Sequence, residues 1–304
     1  MTHIFEHIYK TGGTTFNLSY LLGAFPQEEL VIVRGFRETN REDLERLMAL
    51  PEEEKRRIKV IAGHNTGRLR PYYPDARFIT IVRDPIDRAI SGYLHLKHHP
   101  DAWQYGGRLI CENNIGLAEF IRDDVFAREY AEFVSMHDGQ AKTVLGPDYS
   151  SELDEDAITK IIRSRYYLVG QTERLELLLV CLHILAGFPL VLFNNRLVRK
   201  ERNSFQPGAE DLAAVERYSR VDGLLHRCVC REFDRRMNEV WNENTELLHQ
   251  EYLAALKRFR LETNGIETVT PVPFTLGRGQ AAGVSEDGNG RSSSSAERRP
   301  SLDR

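Results

Sequence analysis

Three features of the sequence predict an α/β fold with a central, mostly parallel sheet covered by helices on both faces. Short apolar, β-branched runs alternate with segments of helical period, the pattern of successive right-handed crossovers. The run RFITIV, residues 77–82, is apolar at consecutive positions, as expected of a strand buried on both faces. The first run passes into a helix through a glycine pair, Gly12-Gly13.

The elements follow in order. Residues 2–9 form a first strand, and Phe16, Leu18, Tyr20, Leu21 and Leu22 recur at helical spacing until Gly23. LVIVRGF (30–36) is a second strand. Thr39 with Glu42 reads as a capping box for a polar helix near 40–49. KVIAG (59–63) is a third strand, ending before His64, and RFITIV is the fourth. Asp84 is an N-cap with Pro85 at the first helical position, and the helix runs toward Lys97. Residues 98–114 read as a loop and 115–136 as helical. A helix over 154–164, a strand at YYLV (166–169) and an apolar helix over 173–187 come next. After a basic irregular stretch, 194–208, two helices are expected, at 209–220 and 222–260. Residues 1–262 thus form one α/β domain with a helical carboxyl-terminal extension, and 263–276 a linker. Residues 277–304 hold six Ser, five Gly and no aromatic residue, and are expected to be a disordered tail.

Composition bounds the function. The 304 residues carry 41 basic and 45 acidic side chains, a net charge of −4, which argues against general nucleic-acid affinity. No run approaches the ~18–20 apolar residues of a membrane span, and MTHIFEHIY is not a secretory leader. Cys111, Cys181, Cys228 and Cys230 lack metal-ligand spacing and suggest free thiols in a reducing cytoplasm. Fibrous, disulfide-knot, membrane-channel and wholly disordered classes are excluded.

Two segments carry chemistry. Lys10-Thr11-Gly12-Gly13-Thr14-Thr15 lies between strand and helix. Glycine lets backbone N–H groups approach an anion, the helix N-terminus adds partial positive charge, and Lys10 and the threonines add donors. The geometry suits a diphosphate or a phosphosulfate. The order G-x-x-x-x-G-K-[ST] of nucleoside-triphosphate P-loops is absent. The second segment is RDPIDRAISGY (83–93). Arg83 ends a buried strand, where ligands of open α/β sheets bind, and Ser91 lies about two helical turns on. The two are candidates to hold one phosphate, the arginine by its planar fork. Arg88 suits an i,i+4 ion pair with Asp84.

Together these motifs resemble a family. YKTGGTTF (9–16) resembles the 5′-phosphosulfate-binding loop of sulfotransferases, and RDPIDRAISGY their 3′-phosphate motif; the interval of about 70 residues also fits. The chain is most similar to the carbohydrate group that includes heparan sulfate 2-O-sulfotransferases, with weaker likeness at GHN (63–65), YYLVGQTE (166–173) and RKERN (199–203). The resemblance implies a three-layer P-loop-like fold without ATP hydrolysis. It also implies the donor 3′-phosphoadenosine 5′-phosphosulfate (PAPS), with 3′,5′-phosphoadenosine as product and no metal. By the same resemblance Lys10, Thr11, Gly12, Gly13, Thr14 and Thr15 would hold the 5′ phosphosulfate, Arg83 and Ser91 the 3′ phosphate, and Lys200 and Asn203 would belong to a basic loop closing over the nucleotide. Animal members carry an N-terminal membrane anchor, whereas this chain opens at its first strand, so a cytoplasmic enzyme is expected.

Sulfuryl transfer asks for in-line alignment, a base for the acceptor hydroxyl, and donors to neutralise charge on the leaving oxygen. Lys10 is the candidate for the last role. His64, at a strand's carboxyl end, is the candidate base, as a histidine at that position is in the resembling enzymes; His95 and Glu6 are alternatives. The acceptor is expected to be a hydroxyl, of a saccharide by the resemblance. His3 and His7 read as structural, and the alternation of Cys228 and Cys230 on a helix speaks against metal or redox use. A P-loop phosphotransferase and a catalytically silent nucleotide-binding module are the competing readings.

Overall fold

A computed structural model describes residues 1–35, 38–98, 106–124, 135–195, 205–264 and 269–275. Met1–Phe274 form one compact unit; the other unit, from Thr275, lies almost wholly outside the described residues.

The core of the unit is a five-stranded sheet: β1 (His3–Glu6), β2 (Leu30–Ile32), β3 (Val60–Gly63), β4 (Arg77–Val82) and β5 (Leu168–Gln171). Its order is β2-β3-β1-β4-β5, and every pairing is parallel. Glu6 stands opposite both Gly63 and Thr80, and Val82 opposite Gln171, so four strands end near one another. A short antiparallel pair, β6 (Val191–Leu192) with β7 (Val272–Pro273), lies apart.

Side chains alternate across the sheet. Phe5, Ile79, Ile81 and Leu168 face one core, with Phe16 and Tyr20 from the helical stretch 13–24 and the apolar helix Leu175–Ala186. Ile4, Ile61, Phe78 and Val169 face the other, with Leu44, Leu47, Ile158 and Ile162. Each such side chain contributes about 1.5–3 kcal/mol on burial. The helix Arg220–Val240 gives Val221 and Leu225 to one core and Phe233 and Met237 to the other. It thereby covers β5, a sheet edge that would otherwise expose unpaired backbone.

The expected α/β class, parallel sheet and flanking helices are present, and β4 and the Asp84–Pro85 helix start (Pro85–His98) match residue for residue. Other boundaries differ. The helix Glu38–Ala49 starts before Thr39, so Thr39 is not its cap. The strand expected at 166–169 lies two residues later, at Leu168–Gln171, with Tyr167 N already donating to Phe78 O of β4 at 2.8 Å. A helix, Gly106–Glu112, lies in the expected loop. The long terminal helix is two, Arg220–Val240 and Glu243–Glu262. Asn242 separates them, its side chain accepting from the backbone N–H groups of Asn244 and Thr245. The four cysteines are free.

Candidate functional site

The site is built at the carboxyl ends of β1, β3, β4 and β5. The loop between β1 and the helical stretch makes two left-handed turns, Lys10 at φ 65° and Gly12 at φ 80°. For lysine that conformation is unusual and must be imposed by its surroundings. Three side chains impose it, one on each successive carbonyl. Arg88 Nε donates to Tyr9 O at 3.0 Å, Arg83 Nη1 to Lys10 O at 3.1 Å, and Thr172 Oγ1 to Thr11 O at 2.8 Å. With its carbonyls tied back, the loop leads into a helix start whose first N–H groups have no intrahelical partner. Gly12 tolerates its φ without strain, and Gly13 is required for space: a Cβ there would lie 1.9 Å from His7 Cδ2.

His7 and His64 stack with ring centroids 4.0 Å apart. His64 is 7% exposed, and its Nδ1 lies 2.7 Å from the His7 carbonyl oxygen. A carbonyl only accepts, so Nδ1 carries the proton and Nε2 is the basic nitrogen. Burial lowers the His64 pKa to about 4, against a weaker opposing effect of that hydrogen bond. His7 is likewise held well below its usual value, first by burial, then by the repulsion that two protonated rings side by side would suffer, and then by the charge of Lys10. Both imidazoles are therefore neutral at pH 7. Asn40, 2% exposed, donates to His64 O at 3.1 Å and accepts from Asn65 at 3.0 Å, which fixes the backbone behind the ring.

Arg83 is 7% exposed, and Gln140 clamps its backbone: Arg83 N donates to Gln140 Oε1 at 2.8 Å and Gln140 Nε2 returns to Arg83 O at 2.9 Å. Arg88 does not pair with Asp84 as expected. Asp84 caps its own helix through Ile86 N and Asp87 N. The Arg88 guanidinium is instead buried between Tyr9 O, Ser135 O (2.9 Å) and Asp222 (3.4 Å). Burial raises the Asp222 pKa to about 6 despite Arg88 and two backbone donors.

The structure brings Lys10, Gly12, Gly13, Arg83 and His64 to one end of the sheet. Thr11 and Thr15 are buried, and the Thr11 hydroxyl donates to Ile8 O at 2.9 Å. Thr14 and Ser91 are half-buried, on the two helices that open at the site. Lys200 and Asn203 lie outside the described residues. Glu6 points to the opposite face, where it accepts from Tyr166 Oη at 2.5 Å and lies 3.7 Å from Arg70. His95 meets the edge of Tyr9, ring centroids 6.3 Å apart. Sequence reasoning missed Gln140, Thr172 and Asp222, and read His7 as structural without placing it against His64. For His7 the signal was present: it lies one residue beyond β1, on the same side of the chain as Phe5. No cluster of metal-ligating side chains occurs among the described residues, and no helix among them is long and apolar enough to cross a membrane.

No protein-family model matches the chain, and no curated protein sequence matches it. Among solved structures, a sulfotransferase from Alicyclobacillus acidocaldarius is similar at a TM-score of 0.42 and 14% identity, over 75% of this chain and 96% of that one. A likeness that weak carries no argument about function.

Proposed function

We propose that the chain is a sulfotransferase that takes PAPS as donor and a hydroxyl-bearing acceptor, a saccharide by the sequence resemblance. The observation that carries this reading is the hydrogen bond from Arg83 to the carbonyl of Lys10, 73 residues away. It joins the two anion-binding motifs into one cationic cradle, with the neutral His64 at the same end of the sheet. The residues fit the donor. Gly12 takes the left-handed turn and Gly13 lets the backbone pack against the His7 ring, so the turn keeps its N–H groups at the helix start, and Lys10 and Arg83 supply the charge. When bound, PAPS supplies the sulfuryl group and a phosphate leaving group.

The chain's residues then have distinct tasks. Lys10, Thr14 and the N–H groups of the glycine turn hold the 5′ end, with Thr11 and Thr15 shaping the turn beneath. Arg83 and Ser91 hold the 3′ phosphate, and Lys200 and Asn203 are assigned to the same nucleotide. Lys10 neutralises charge on the leaving oxygen. His64 accepts the acceptor's proton at Nε2, the nitrogen its hydrogen bond to His7 leaves basic. Anionic groups beside the ring raise its low pKa and so its strength as a base.

The test is thermal unfolding with 3′,5′-phosphoadenosine, AMP and ATP–magnesium in parallel. A ligand bound only by the folded state adds about 2.7 kcal/mol at one hundred times its Kd, a midpoint rise of a few degrees. The rise is expected with 3′,5′-phosphoadenosine, small with AMP, and lost in Arg83→Ala. His64→Ala should keep the rise and lose turnover. A rise with ATP–magnesium alone would replace the reading with a phosphotransferase.

A further inference from the structure

At the amino ends of β4 and β5, about 20 Å along the strands from the site above, lies a cavity of about 580 Å³. Its lining includes Arg77, Arg163, Arg165, Arg235, Arg236 and Tyr167. Some of this charge is spent internally. Glu232 accepts from Arg163 at 2.8 and 2.6 Å and from Arg235 at 3.0 Å. Arg235 and Arg236 share Glu239, and Arg165 lies 3.4 Å from Asp148. Five guanidinium groups thus meet three carboxylates, which leaves an excess of positive charge.

The excess is localised. Arg77 and Arg236 both lie over the Tyr167 ring, at 4.2 and 5.5 Å from its centroid. The Arg77 side chain makes no hydrogen bond or ion pair among the described residues, and Arg236 Nε is buried with no hydrogen-bond partner among them. Each offers the planar fork that matches a phosphate or sulfate, and the cavity has the size of a small-molecule site.

We propose that this groove is a second anion-binding site, which takes a small ligand bearing phosphate or sulfate groups at Arg77 and Arg236 beside Tyr167. It is independent of the transfer reaction proposed above.

The experiment is arginine footprinting of the full chain with phenylglyoxal, with and without inorganic tripolyphosphate or sucrose octasulfate. Either ligand should slow modification of Arg77 and Arg236 and leave the exposed Arg258 unchanged; the one that protects better tells phosphate from sulfate chemistry. Unchanged rates at Arg77 and Arg236 with both ligands overturn the proposal. Calorimetry gives a second readout. The double variant R77Q/R236Q should lose about tenfold or more in affinity for the protecting ligand, the equivalent of ~1.4 kcal/mol. Arg68→Gln, at a different cavity, should retain it. Equal loss in both variants would move the binding elsewhere and overturn the assignment. Because the footprint is read residue by residue, failure here leaves the nucleotide test untouched, and the converse holds.

Discussion

At the carboxyl end of the sheet the half-buried His7 and the buried His64 are stacked and neutral, and the one arginine set deepest, Arg88, is wholly consumed by backbone carbonyls and Asp222. At the amino end the arginines range from 20% exposed at Arg165 and 25% at Arg236 to 43% at Arg235 and 53% at Arg163, and the carboxylate Glu232 that two of them share is itself buried. The first arrangement spends burial on fixing geometry. The second keeps charge available at small cost in stability. The same residue type does opposite work according to its solvation, which sequence spacing does not report.

Breaking the buried arrangement should have the largest effect. Arg88→Ala leaves Asp222 buried without its cation and is expected to cost about 3–5 kcal/mol in urea unfolding. A loss below ~1 kcal/mol would show that the network is dispensable. Next comes pH. His64 has a folded pKa of about 4 against 6.5 for the free side chain, so unfolding takes up a proton between those values. Its contribution is complete above pH ~6.5 and is lost as pH falls toward 4, by up to roughly 3 kcal/mol. His3, buried at the amino end, is also lowered to about 4 and acts in the same window. Stability curves of His64→Gln and His3→Gln separate the two; a curve unchanged by His64→Gln would remove the ring from the account. The smallest effect is expected at Glu232, which is buried but paired with two half-exposed arginines. Glu232 is held below its usual pKa, chiefly by Arg163, so its contribution is present above pH ~4.5 and is lost only at lower pH. Glu232→Gln, which leaves the half-exposed Arg163 and Arg235 to be solvated, should cost about 1 kcal/mol at pH 7.

Much of the sheet was legible because burial on both faces writes itself as consecutive apolar residues, and β4 is the clearest case. The glycine turn was legible because few residue types tolerate its geometry. The tyrosines before β5 were not, since their aromatic, apolar character fits a strand while their hydroxyls are held by Glu6 and Leu185 O. The break at Asn242 was hidden inside a continuous helical pattern, because a single cap outweighs the weak propensity on either side. Arg83 and Arg88 look alike in sequence. That one reaches Lys10 O and the other Asp222 depends on contacts across 73 and 134 residues, which no local pattern encodes.

The chain from Tyr9 O through Arg88 to Asp222 also sets a timetable. The glycine loop is translated almost first, yet Asp222, the carboxylate that pairs with Arg88 behind it, arrives more than two hundred residues later. At the usual pace of synthesis that is a wait of roughly 10–40 s. Contacts this distant in sequence form late in folding. On the ribosome, then, the sheet and the three side chains that tie back the glycine loop are present before Arg88 has its counter-ion, and a chain truncated ahead of Asp222 would keep those three contacts with the Arg88 guanidinium left without a carboxylate.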